Sequence, residues 1–145
     1  MKRKVLFITL LYLGLSMICR AQSDNAPLVG TWTVRSVELR QTIDLSVSIK
    51  LFTNSGSAVF GVTQCPRTIT FTTDSIILAY TDSQERGSYR VQGNTIQVDF
   101  PTHPCEYTWL TGSNGDLQLN QTVNYVINDQ TSHKAKDECK FTCRK

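Results

Sequence analysis

"GSYRVQGNTIQVDF", residues 87 to 100, decides the fold. Apolar side chains at Tyr89 and Val91, then at Ile96, Val98 and Phe100, alternate with polar ones, which is the period of a strand with one buried face. Between the two runs sits Gly93-Asn94, a two-residue pair of the kind that turns a hairpin. Strands adjacent in sequence are therefore expected to be adjacent in space and antiparallel.

The same period recurs on either side. In "IDLSVSIKL" the aliphatic residues Ile43, Leu45, Val47, Ile49 and Leu51 alternate with Asp44, Ser46, Ser48 and Lys50, and the pattern predicts one half-buried strand. Ile69 and Phe71 follow among threonines, then Ile76, Leu78 and Tyr80. Turn formers separate the runs: Asn54-Ser55-Gly56, Thr73-Asp74-Ser75 and Ser113-Asn114-Gly115. Leu117 to Ile127 reads as one long bent strand or as two strands meeting near Gln121. The polar run from Asn128 to Asp137 reads as a long exposed loop, with a turn of helix near Lys134 to Glu138, before a last strand in "ECKFTCR". Nine or ten short strands joined largely by tight turns make an all-β antiparallel meander. Closing it into a barrel removes its exposed edges, whereas a two-sheet β-sandwich, the alternative, usually needs longer crossovers.

The chain starts Met1-Lys2-Arg3-Lys4, continues through an apolar run of about 14 residues from Val5 to Ile18, and reaches Cys19-Arg20-Ala21-Gln22. This is the pattern of a secretory signal peptide cleaved after Ala21, and a membrane span needs roughly 20 apolar residues. The expected organisation is a signal peptide over 1–21, a polar leader over 22–27 and one domain over 28–145, secreted or periplasmic. Lipid anchoring on Cys19 is the less favoured alternative, since Ser16-Met17-Ile18 lacks the small residue expected beside that cysteine. Lys2, Arg3, Lys4 and Arg20 leave with the leader, so 11 basic residues face 12 acidic ones in the remaining chain. A nucleic-acid-binding surface, which needs a basic stripe, is set aside.

Four cysteines remain, Cys65, Cys105, Cys139 and Cys143. In an exported chain disulfides are the first expectation, with three connectivities open. Cys139 and Cys143 lie four residues apart on one strand face, about 13 Å, beyond the Cα separation a disulfide spans, so each is expected to reach one of Cys65 and Cys105. A zinc site from the four thiols is the weaker alternative, and no metal is assigned.

"LVGTWTVRSVEL", residues 28 to 39, with "GSYRVQGNTIQVDF" and a basic residue just after the last strand, resembles the lipocalins and the wider calycin group, in particular small secreted bacterial lipocalin-like domains. The resemblance implies a barrel covering nearly the whole mature chain. It also implies a structural role for Trp32, which would close one end, with Arg144 over its ring and Gly30 letting the chain pass close beneath. Two features of typical lipocalins are absent: their Thr-Asp-Tyr turn is only Thr81-Asp82-Ser83 here, and no C-terminal helix follows the barrel.

Catalytic chemistry is not signalled. His103 lies in the proline-bounded "PTHPC" and His133 in "SHKAKDE", neither with a partner at a local spacing. No nucleophile elbow, His-Glu-x-x-His pair or phosphate-cradling glycine loop occurs. Asp74, Asp82, Glu85 and Asp99 sit where solvated carboxylates usually sit, and Asn120-Gln121-Thr122 is a glycosylation acceptor pattern. The expected function is non-enzymatic and without cofactor: a barrel holding a small apolar ligand against Ile69, Phe71, Leu78, Tyr89, Ile96, Val98, Tyr107 and Trp109. A protein-binding or inhibitor module, disulfide-braced and acting through the 128–137 and 101–104 loops, is the alternative.

Overall fold

The computed structural model describes residues 26–53, 59–60 and 63–145. The leader over 1–21, most of the 22–27 segment and the Asn54-Ser55-Gly56 turn lie outside the described residues. The strands are β1 (Gly30–Ile43), β2 (Ser46–Thr53), β3 (Val59–Phe60), β4 (Thr63–Gln64), β5 (Thr68–Phe71), β6 (Ser75–Ala79), β7 (Gln84–Gln92), β8 (Thr95–Asp99), β9 (Pro104–Thr111), β10 (Leu117–Asn128) and β11 (Ser132–Arg144). Among the described residues there is no helix, hence none long and apolar enough to cross a membrane.

From β5 to β11 each strand pairs antiparallel with the next, and β11 returns to pair with β1. Because Gly30–Thr33 of β1 pairs with β5, eight strands close into a barrel, with β2 as an extra strand on β1. Closure through β1 and β11 excludes the sandwich. The expected hairpin at Gly93-Asn94 is present, with Gln92 opposite Thr95 and Gly93 at φ 61°, the left-handed region that a two-residue turn requires.

β1 serves two neighbours on one edge, β5 through its first residues and β2 through Ser36–Ile43. A bulge between Val34 and Ser36 separates these stretches, and it changes which residues point inward: Trp32 and Val34 before it, Val37 and Leu39 after it. The long strands β1, β10 and β11, of 14, 12 and 13 residues, outreach β5, β6 and β8, of 4, 5 and 5. With β2 they rise past the rim of the others as a wall on one side of the mouth.

Two expectations about the strands change. "IDLSVSIKL" is not one strand: the chain reverses at Asp44-Leu45, with Asp44 at φ 50° and Ile43 opposite Ser46. Asp tolerates the left-handed region, so a period-2 run can hide a two-residue turn. The register places Val47, Ile49 and Leu51 beside Thr42, Arg40 and Glu38 on the outer face, exposed rather than half-buried. Second, the 128–137 loop is strand. β10 runs to Asn128 and β11 starts at Ser132, because a wall wetted on much of its surface needs no apolar alternation. Of the two readings of Leu117 to Ile127 the single strand holds: it pairs with β9 only through Asn120 and then continues on β11 alone.

The end marked by Trp32 is packed shut. The Trp32 indole N–H donates to the Leu28 carbonyl at 2.7 Å, and the ring lies in a continuous core with Leu28, Val34, Ile69, Phe71, Ile76, Tyr89, Ile96, Leu117 and Phe141. The cation over its ring is Lys145, with Nζ 4.7 Å from the ring centroid, and not Arg144. Strand parity is the reason: Thr33 faces Arg144, so the next pair brings Lys145 to Trp32, while Arg144 points outward and grips Asp116 through Nε and Nη2 at 2.8 and 3.1 Å. Gly30, at φ 131°, lies close against the Lys145 side chain.

None of these four cysteines is joined in a disulfide. Cys139 and Cys143 do share the inward face of β11, but their cross-strand neighbours are Leu39, Gln121, Val34 and Leu117. Cys105 is on β9, with β10 between it and β11, and Cys65 precedes β5, with β1 between. One intervening strand sets a separation of about 10 Å, more than a disulfide spans.

Candidate functional site: a cleft at the barrel mouth

Antiparallel neighbours bring alternate turns to the same end. The β6–β7 and β8–β9 turns both lie opposite Trp32, fixed by Tyr80 N–H to Ser83 carbonyl at 2.8 Å and Phe100 N–H to His103 carbonyl at 3.2 Å. Facing them, β10 parts from β9 after Asn120. The space so opened is a cleft of about 560 Å³ between the strand ends and the wall, lined among others by Leu78, Tyr80, Glu85, Phe100, Tyr107 and Gln121.

The cleft has an apolar floor and a polar rim. Leu78 and Tyr107 are buried, and Tyr107 meets Phe141 edge-on at 6.5 Å between centroids, which ties the floor to the core. On the rim the Gln121 amide donates to Cys105 Sγ at 3.0 Å. The Thr102 hydroxyl donates to Glu85 Oε1 at 3.1 Å and lies 2.8 Å from His103 Nδ1, which is itself 3.8 Å from Glu85 Oε1.

Burial sets the protonation of the lining. It is the largest influence pushing the Tyr80 and Tyr107 hydroxyls up, with Glu85 adding to it at Tyr80 and the Cys105 sulfur at Tyr107. Burial also raises the Cys105 thiol, partly opposed by hydrogen bonds from Tyr107 and Gln121. At neutral pH the thiol and both phenols are therefore un-ionised hydrogen-bonding groups.

Beside the cleft, the inner face of the wall carries a polar cluster. Asp137 of β11 is buried, opposite Gln41 of β1 and Val123 of β10. Its Oδ1 accepts from Gln41 Nε2 at 3.1 Å and from the Tyr125 hydroxyl at 3.2 Å, while Oδ2 is buried without a hydrogen-bond partner. At the tip of the wall His133 Nδ1 lies 2.6 Å from Asp44 Oδ2, so its partner comes from the β1–β2 turn.

The expected ligand-binding residues divide by depth. Leu78 and Tyr107 line the cleft. Ile69, Phe71, Tyr89, Ile96 and Val98 point inward as expected but are packed into the core, Phe71 edge-on to Tyr89 at 5.3 Å. Trp109, half-buried, braces the Gly93-Asn94 turn through its indole N–H to the Gly93 carbonyl at 3.1 Å. Tyr80, Glu85, Phe100, Cys105 and Gln121 are among the lining residues missed. The available signal was topological: in a meander, residues flanking every second turn converge on one end. No family model, no curated protein and no solved structure matches this chain.

Proposed function

We propose that this protein is an exported, non-enzymatic binding barrel of lipocalin-like type. Its ligand is a small molecule with an apolar body and a polar group, seated at the mouth and not deep in the barrel. The observation that carries the reading is the cleft itself: at about 560 Å³ it falls among the volumes usual for small-molecule sites, with an apolar floor and a few convergent polar groups. The apolar body rests on Leu78, Phe100 and Tyr107, and a hydrogen-bonding group of the ligand meets Glu85, Tyr80 and Gln121. This refines an apolar ligand inside the barrel, because the inward-facing residues below Tyr107 are occupied by one another.

Native mass spectrometry of protein purified from its own host, followed by organic extraction, tests the proposal. A stoichiometric small molecule is expected, and Val123→Trp, which fills the cleft from a half-exposed position on the wall, is expected to lose it. A protein that stays empty after incubation with host extract overturns the reading.

A further inference from the structure

β2 is an edge strand of unusual composition. Among the described residues it pairs on one side only, with β1. Leu45, Val47, Ile49 and Leu51 are 98, 50, 64 and 68 % exposed. Edge strands are ordinarily guarded by charge, proline or a bulge, and a row of exposed aliphatics on a free edge is a template for another strand. The neighbouring outer face is not equally adhesive: Arg40 and Lys136 are both paired with Glu138, at 3.9 and 3.2 Å. The attraction is therefore confined to the edge and is apolar.

From this pattern we infer that β2 pairs antiparallel with β2 of a second copy, making a two-fold dimer with one continuous sheet across the interface. The two-residue turn makes Ile43 and Ser46 a hydrogen-bonded pair, so Ser46, Ser48 and Lys50 direct their backbone groups to β1, while Val47, Ile49 and Leu51 present theirs to the open edge. With the axis at Ser48, Val47 faces Ile49 of the second copy and Leu45 faces Leu51. Every aliphatic then meets an aliphatic, and the backbone groups that meet are the unused ones. On the other face Ser46 meets Lys50, so the lysines stay apart. An axis at Lys50 would oppose the two lysines, and one at Ile49 would leave Leu45 against Thr53. A two-fold interface requires this self-complementarity.

Light scattering and sedimentation of the full mature chain over a wide concentration range are expected to show a monomer–dimer equilibrium. Ile49→Lys and Val47→Glu, both on the exposed face, are each expected to weaken self-association about tenfold or more while leaving the circular dichroism unchanged. Mixed together, these two variants are expected to recover a heterodimer, since position 47 of one copy faces position 49 of the other. A wild-type chain that stays monomeric throughout, self-association indifferent to Ile49→Lys, or a mixture that fails to recover association overturns the proposal. Binding of a monomeric wild type to phosphatidylcholine vesicles does so in favour of a lipid surface.

Discussion

Lys145 lies over the ring of Trp32 with Nζ 4.7 Å from the centroid, and the same Nζ donates to the Val29 carbonyl at 3.0 Å. One terminal side chain thus holds the start of β1 to the end of β11 where the barrel closes. Lys145→Ala is expected to cost ~0.5–1 kcal/mol in urea denaturation and to alter Trp32 fluorescence, the range of an exposed cation–π contact. Arg144→Ala, whose partner is Asp116, is expected to leave that fluorescence unchanged.

Gly30→Ala should be more damaging than its surface position suggests. The residue sits at φ 131°, where a side chain is strained, and an added Cβ would approach Lys145 Cε at 3.1 Å. A loss of more than about 1 kcal/mol in chemical denaturation is expected.

Gly87→Ala tests how the cleft is held. A Cβ there would lie 2.7 Å from the Asp99 carbonyl oxygen and 2.9 Å from Phe100 Cδ1, forcing β7 and β8 apart. Overpacking of this kind costs ~1–3 kcal/mol, and because Phe100 lines the cleft, ligand affinity is expected to fall with stability.

The Asp44–His133 contact makes the tip of the wall pH-sensitive. The hydrogen bond to His133 is the main cause lowering Asp44 from its ordinary 3.8, and the hydrogen bond to Asp44 is the main cause raising His133 from 6.5, with Asp129 adding to the latter. A lowered acid contributes stability above 3.8 that is lost as pH falls through its folded value. A raised histidine contributes stability below 6.5 that is lost as pH rises through its folded value. The clasp is therefore strongest between those two values. Protection of the Asp44 amide, bonded to the Lys134 carbonyl at 2.8 Å, measured as its exchange relative to the intrinsic rate at each pH, should be greatest in that window and level through the histidine range in Asp44→Asn.

Thiol reactivity should follow burial. Burial pushes Cys65 up to about 11 and Cys143 up to about 12, and both are buried, whereas Cys105 is only half-buried at the cleft. Mass spectrometry of native protein treated with an alkylating reagent should find Cys105 modified first, with Cys65 and Cys143 reacting on unfolding.

The meander and its closure were legible because most strands have one wet and one buried face, as at Tyr89, Ile96 and Val98. Misreadings arose where alternation carries no information about position. Alternation across Ile43 to Leu51 continues straight through a turn that Asp44 allows. Alternation on β11 separates Arg144 from Lys145, but only the register with β1 says which of them meets Trp32. Parity likewise marks Phe71 and Tyr107 alike as inward, and it cannot say that one is sealed in the core while the other floors a cleft. The polar run after Asn128 hides strands because a wall above the rim has little core to face.

The barrel's circumference is completed by only the first four residues of β10, Leu117 to Asn120, while the rest of that strand and the start of β11 build the mouth. On the proposed function, closure and recognition are thereby assigned to different lengths of the same hairpin. Its tip can grow or shrink by two residues on each arm, keeping every side chain on its own face, without touching a stave of the barrel. Cup depth is accordingly an independent variable, open to evolutionary drift and to engineering for larger or smaller cargo.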